Sequence, residues 1–494
     1  MSEILDEKPV DRPEAHKRVE DALAEIAALL RKNRLVEGLV HEQATHAADD
    51  ERAELVESLV TKQNRAILQN RLDRLHPADI AYILEALPLD ERLYIWDLVK
   101  SAERDGEILV EVSDAVRESL IDSMDTHELV AAAETLDADD LAAIADDLPQ
   151  EVIDDVFQKL PVDEREQLRQ AMSFEEDMVG ALMDFDDIQI RPDVTLEVVL
   201  RYLRRFDELP SQTDQLFVVD RDEKLLGVLP VNALIVNDPD VVVERVTRPP
   251  AVKLLQHDKA DEAASAFERY DLVSAPVVDT NDRLVGRVTV DEVLDFVRAS
   301  GEETMRAQAG LREEEDIFAS VWDSFKNRWA WLAINLVTAF VASRVIGAFE
   351  GTIEKLVALA ALMPIVAGIG GNSGNQTITM IVRSVALGQI SRNHGEKLLR
   401  KELAVALVNG LVWGGAMGLV AMLLYRDVGL GLVMVFAMTL NLLLAAFAGV
   451  MIPMTMMRMG RDPALGASVL ITAVTDSGGF LIFLGLATLF LMGR

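Results

Sequence analysis

The last third of this 494-residue chain holds five apolar stretches, at 329–349, 356–382, 403–425, 428–457 and 464–492. Each reaches or exceeds the roughly 20 residues that carry a helix across the hydrocarbon core of a bilayer. A helix buried in a soluble core is usually shorter and keeps a charged face, and few charges interrupt these stretches. The C-terminal part is therefore expected to be a membrane domain of five spans.

Charge divides the chain at the same place. The whole sequence has 48 basic and 83 acidic residues, net −35. From Lys326 to Arg494 there are 13 basic and 7 acidic residues, which leaves 35 basic and 76 acidic in the rest. So acidic a chain is a poor partner for nucleic acid, which needs a basic surface. There is no cysteine, which excludes disulfides, thiolate metal sites and a cysteine nucleophile. Residues 1–10 carry acids and no apolar core, so no cleavable signal peptide is expected. No phosphate-binding Gly-rich loop ending in Lys and Ser or Thr occurs, nor any nucleophile–base constellation, and the chain is not expected to be an enzyme.

Orientation follows from the basic flanks. Lys326, Arg328, Arg383, Arg392, Lys397, Arg400, Lys401, Arg458 and Arg461 fall on one side, against Lys355, Arg426 and Arg494 on the other. The first side is assigned to the cytoplasm. Five spans then put the acidic N-terminal part in the cytoplasm and the C-terminus outside. Trp329 and Trp331 suit an interfacial anchor.

Two charges fall inside the spans, where charge is costly. Arg344 lies near an end and can snorkel. Asp476 lies near the middle of the last span, within Thr472-Ala473-Val474-Thr475-Asp476-Ser477-Gly478-Gly479, and its side chain is too short to snorkel. Two roles are open for it: an ion pair with Arg344 or a backbone amide, or a carboxylate facing a hydrated cation path. The second span carries Gly370-Gly371-Asn372-Ser373-Gly374-Asn375-Gln376 after Pro364. These small residues and amides either pack helices closely or mark loosened backbone lining a polar cavity. Gly449 and Pro453 of the fourth span suit packing and a kink.

The acidic part contains repeats. Phe217-Val218-Val219-Asp220 with Leu225-Leu226-Gly227-Val228 returns 59 positions later as Pro276-Val277-Val278-Asp279 with Leu284-Val285-Gly286-Arg287. Each unit has the pattern of strand, tight turn, strand and helix (231–235 and 290–297), with preceding helices at 196–205 and 261–270. The pair resembles tandem cystathionine-β-synthase (CBS) domains, ligand-sensing modules whose adenylate site usually has Thr or Ser followed three positions later by Asp. Here those positions hold Thr289 and Glu292 in one unit and Pro230 and Ala233 in the other, which weighs against ATP binding. Residues 14–173 look almost wholly helical. The run 75–88 recurs at 136–149, and Leu87-Pro88-Leu89-Asp90-Glu91-Arg92 recurs as Leu160-Pro161-Val162-Asp163-Glu164-Arg165. Proline followed by acids is a helix start, so short helices stacked as a solenoid are expected.

The order of these parts resembles the MgtE family of magnesium transporters over nearly the whole chain. The motifs that carry the likeness are Phe174-Glu175-Glu176-Asp177-Met178-Val179-Gly180-Ala181-Leu182-Met183, the Gly370–Gln376 run, Asp462-Pro463-Ala464-Leu465, and Thr475-Asp476 with Gly478. The resemblance implies a multidomain membrane protein: a disordered N-terminus (1–13), an all-α acidic superhelical domain (14–183), α/β tandem CBS domains (184–300), an acidic linker or plug helix (301–325) and a five-helix transmembrane domain (326–494). It implies a homodimer in the cell (inner) membrane, in contact with lipid and divalent cations, with a Mg²⁺ pore made by the second and fifth spans. Asp476 matches the pore aspartate. Thr472 and Ser468 stand one and two turns earlier, where Ala and Asn are familiar, and Asn372 belongs to the second-span motif. A hard, oxygen-preferring ion held through its waters needs no His or Cys. Regulatory Mg²⁺ is expected at Asp261, Asp271, Glu292, Asp295 and Glu303, closing the pore when cytoplasmic Mg²⁺ is plentiful. Lys259 and Ser300 fall where acids are expected. The alternatives are a Co²⁺ or Mn²⁺ transporter or exporter coupled to another ion, and a non-transporting CBS sensor.

Overall fold

The computed structural model describes residues 12–45, 50–100, 104–311, 314–386, 395–459 and 466–492. The expected disordered segment 1–13 lies almost wholly outside the described residues, and the motif at 462–465 entirely so. The chain forms two compact units, Met1–Phe296 with Glu315–Ala319, and Val297–Glu314 with Ser320–Arg494.

The first unit opens with two long helices, α1 (Arg12–Thr45) and α2 (Asp50–Leu72). Eight short ones follow: α3 (Pro77–Glu85), α4 (Leu89–Val99), α5 (Asp105–Glu111), α6 (Asp114–Ile121), α7 (Thr126–Ala133), α8 (Ala138–Ile144), α9 (Gln150–Lys159) and α10 (Val162–Ala171). Their starts are local. Pro77 occupies the first turn of α3, where His76 Nδ1 accepts from the Ala78 N–H and proline's missing donor costs nothing. Asp125 and Glu128 form a reciprocal capping box on α7. Ile80, Ile83, Leu84, Ile95, Trp96, Ile108, Leu120, Leu141 and Val152 build one continuous core through the stack.

The CBS pair has two three-stranded sheets of identical order. β1 (Gln189–Ile190) runs parallel to β2 (Gln215–Val219), which is antiparallel to β3 (Leu225–Pro230). β4 (Leu254–Leu255), β5 (Ser274–Val278) and β6 (Leu284–Thr289) repeat this. Both units shift register at the same place, Val218/Val219 and Val277/Val278. Both turn through a residue in left-handed conformation, Glu223 and Asp282. The repeat therefore extends to backbone detail. Helices α11 (Leu196–Leu203), α12 (Val231–Val236), α13 (Val243–Val246) and α14 (Ala260–Tyr270) pack on these sheets. The Phe174–Met183 motif docks on the second CBS repeat: Val179 and Gly180 donate to the Asp258 and Gln256 carbonyls, both at 2.9 Å. A side chain at Gly180 would overlap the Phe174 ring.

The stretch expected as one linker helix is built differently. α15 (Val290–Ala309) starts within the CBS pair and runs 20 residues. It stops at Gly310, in left-handed conformation, where a Cβ would collide with the Trp331 indole. The described residues 311 and 314–320 are not helical, and the Ser320 hydroxyl caps α16 (Val321–Gly347). That helix begins eight residues before the apolar stretch that signalled it. α17 (Glu350–Lys355), α18 (Ala358–Ala386), α19 (Gly395–Tyr425), α20 (Val428–Arg458) and α21 (Ala467–Leu491) complete the second unit. Among the described residues α16, α19, α20 and α21 are long and apolar enough to cross a membrane. α18 has the length, 29 residues, but Asn372, Asn375 and Gln376 dilute its apolar character. Leu332, Leu336, Val337 and Phe340 of α16 are more than 60% exposed, which suits contact with hydrocarbon rather than water.

Candidate ion path and acidic cluster

α20 is the most buried helix of the second unit, and α18 and α21 pack against it and each other. The glycines of the second-span motif serve this packing. A side chain at Gly374 would collide with Ile471, and one at Gly370 or Gly479 with the Asn441 amide. Asn441 is fully buried and donates from Nδ2 to the Val366 carbonyl at 2.9 Å. α18 is helical throughout, so the loosened backbone considered above is not present; the amides act as side chains on an intact helix.

This packing sets the face that Asp476 presents. Thr475 is fully buried toward Gly371, its hydroxyl donating to the Ile471 carbonyl at 2.9 Å. Asp476, one residue on, is rotated about 100° from it and is only half-buried. Among the described residues it makes no hydrogen bond or ion pair, and Arg344 is exposed and not its partner. Thr472 turns its hydroxyl onto the Ser468 carbonyl at 2.8 Å, and Ser468 Oγ lies 3.4 Å from the Gln308 carbonyl at the end of α15. Asn372 is exposed on α18. Ala307, on the last turn of α15, packs in one cluster with Ile378 and Val382 of α18, Ala448 of α20, and Ala467 and Ile471 of α21. The end of α15 thus sits against the two helices that carry Asp476 and the Gly-Asn motif.

The regulatory candidates do not converge on one place. Glu303 is exposed on α15, Asp261 is exposed in the first turn of α14 beside the Lys259–Asp177 ion pair, and Asp271 ends α14 in left-handed conformation. Glu292 and Asp295 face acids of the helical domain that sequence reasoning missed. Burial, reinforced by the charges of Asp139, Asp291, Asp140 and Asp295, pushes Glu292 up to about 8. Burial and Asp184 and Asp140 push Asp139 up to about 7. Burial and Asp137 and Glu111 push Asp140 up to about 6, and Glu111 is raised by burial and by Asp295. A signal was present: where the first repeat has His76 and Ala78, the second has Asp137 and Asp139.

Carboxyls that raise one another in this way favour a cation. Among the described residues no three acids are arranged to ligate a metal ion directly.

Comparison with known proteins adds the family. A divalent cation transporter family, MgtE, matches residues 363–486, its intracellular N domain matches 75–177, and CBS domains match 179–237 and 243–299. The magnesium transporter MgtE of Thermus thermophilus is 31% identical over 460 residues, covering 88% of this chain and 98% of that protein. The chain belongs to the MgtE family. The magnesium transporter MgtE of Bacillus subtilis is 26% identical over 431 residues, covering 85% of this chain and 93% of its own. Among solved structures, the cytosolic domain of the Mg²⁺ channel MgtE in complex with ATP is 30% identical, covering 49% of this chain and 97% of that one, with a TM-score of 0.43. The MgtE architecture of helical domain, CBS pair and apolar C-terminal helices is thus the one expected from the sequence.

Proposed function

We propose that this MgtE-family chain is a Mg²⁺-selective, channel-like transporter for uptake across the cell membrane. It acts as a homodimer, with the N-terminus cytoplasmic and the C-terminus outside. Asp476 carries the reading: a carboxylate midway along an apolar helix, half-buried, with no cation beside it among the described residues. Two such groups related by a dimer axis would hold a hydrated divalent ion through its waters, with Thr472, Ser468 and Asn372 as candidate neighbours. An inside-negative potential drives such an ion inward by about 4.6 kcal/mol per 100 mV, twice the single-charge value.

Gating is assigned to cytoplasmic Mg²⁺. α15 starts beside Glu292, in the acidic cluster, and ends with Ala307 packed on α18 and α21. A cation that lowers repulsion among Glu292, Asp139 and Asp140 holds that end of α15 in place; loss of the cation frees it. Asp261, Asp271, Asp295 and Glu303 are further sensor candidates. Glu292 is occupied by this cluster, in keeping with an adenylate site that is altered.

The test is Mg²⁺ uptake by full-length protein in liposomes under an imposed potential. Uptake that follows the potential, is lost in Asp476→Asn, and is inhibited by Mg²⁺ on the cytoplasmic face supports the reading. Strict dependence on a proton or sodium gradient would overturn it.

A further inference from the structure

Glu402 lies in the first turns of α19, immediately before the apolar run at 403–425, and is 8% exposed. A carboxylate withdrawn from water this far needs partners. Thr377 Oγ1 is 3.2 Å from its Oε2, but the same hydroxyl is 3.2 Å from the Ser373 carbonyl and has one proton to share. Lys401 Nζ is 3.6 Å from Oε1, an ion pair too long for a hydrogen bond. Among the described residues its two carboxylate oxygens therefore divide a single shared donor.

Glu402 lines an open-sided cavity of about 250 Å³ between α18, α19 and α20, together with Ser373, Gln376, Lys401 and Asn409 and the apolar Val405 and Ala446. Among the described residues the side chains of Ser373, Gln376 and Asn409 make no hydrogen bonds. Unpartnered polar side chains thus share one cavity with a buried charge, the composition of a polar binding site.

We propose that this cavity binds the headgroup of an aminophospholipid, with the primary ammonium on Glu402 and the phosphate at Lys401. A primary ammonium brings three N–H donors for the carboxylate, the Gln376 and Asn409 amide oxygens and the Ser373 hydroxyl, as charge-assisted bonds. Lys401, 63% exposed at the mouth, meets the anionic half of a zwitterion and disfavours a bare metal cation in the same space. The position suits a lipid, because the last charged residues before a long apolar run lie at the headgroup boundary. Val405, Val408 and Val412 continue along α19 from the cavity as an exposed apolar stripe, 45%, 61% and 58% exposed, along which an acyl chain can lie. The inference needs α18 and α19 to be in a membrane and does not depend on which ion is carried.

The experiment is native mass spectrometry of the full-length protein, purified in detergent and offered equal amounts of dioleoyl phosphatidylethanolamine, phosphatidylcholine and phosphatidylglycerol. Retention of phosphatidylethanolamine about tenfold over phosphatidylcholine is expected, a ratio equal to about 1.4 kcal/mol. Phosphatidylcholine has the same charge but no N–H. Glu402→Gln should reduce the ratio to near one, and Lys401→Gln should weaken both zwitterionic lipids together. Equal retention of the two zwitterions, a preference for phosphatidylglycerol, or an undiminished ratio in Glu402→Gln would overturn the proposal. If Glu402→Gln does not give folded protein, Gln376→Leu, at the exposed mouth, must abolish the same preference; a ratio unchanged there also overturns it.

Discussion

Arg92 donates from Nη1 to Asp316 Oδ2 at 2.7 Å, across 224 positions of sequence. Arg92 is fully buried and Asp316 12% exposed. The guanidinium also closes the preceding helix, donating to the Leu84 and Leu87 carbonyls at 2.9 and 3.1 Å. Arg117 does the same with Leu109 and Val112 but takes its acids from within the helical domain, Asp114 and Asp147. At Arg92 the acid comes instead from the segment between α15 and α16. A buried ion pair ties that segment to the helical domain.

Removing one member of such a pair leaves a buried charge uncompensated, at a cost of about 3–5 kcal/mol. Asp316→Asn should therefore release 315–319, seen as faster amide exchange there. Inhibition of flux by cytoplasmic Mg²⁺ should weaken in parallel. The double replacement Arg92→Met with Asp316→Leu should recover much of the stability, because it removes both charges.

The acidic cluster gives a pH dependence of known sign. Glu292, Asp139 and Asp140 have pKa values raised above those of the unfolded chain, to about 8, 7 and 6. Their folded forms hold protons that the unfolded chain releases, so their contribution is full below about pH 4 and is lost as pH rises through 6 to 8. In chelator, the thermal midpoint of the cytoplasmic transition should fall between pH 5.5 and pH 8.5. Added Mg²⁺ should restore it at pH 8.5 and do little at pH 5.5. Glu292→Gln should flatten the upper part of the profile.

Asp476→Asn keeps the size of the side chain and removes its charge. Mg²⁺ uptake in liposomes should drop by about tenfold or more, since the ion loses a charge partner in a region of low dielectric. Thr472→Ala should retain uptake and change the Mg²⁺/Co²⁺ or Mg²⁺/Ca²⁺ preference. An unchanged ratio would remove Thr472 from the selectivity machinery.

Gly374→Val would force a side chain into the space of Ile471, and overpacking of this kind costs about 1–3 kcal/mol. Ile471→Ala in the same chain should return part of that loss. A double-mutant cycle read by thermal unfolding in detergent checks this, with coupling expected because the two positions touch.

The apolar stretches, the tandem units of strand and turn, and the Leu-Pro starts of the short helices were legible because each is a local pattern. Periodicity, a turn residue or a cap acts over a few positions, and the structure keeps them down to the matching register shifts at Val218 and Val277. The helix end within residues 301–325 was not legible for the opposite reason. Their acids and scattered apolar positions suit a helix, while the break at Gly310 answers to an indole 21 positions away.

Composition and local pattern alone determined that this chain has an acidic, repeat-built part and an apolar helical part, and that Asp476 is an anomaly in its span. Which carboxyls gather around Glu292, which acid neutralises Arg92, and which glycines admit Asn441 and Ile471 were decided only by tertiary structure. Burial and charge interaction depend on distances between residues far apart in sequence, and those exist only once the helices have packed.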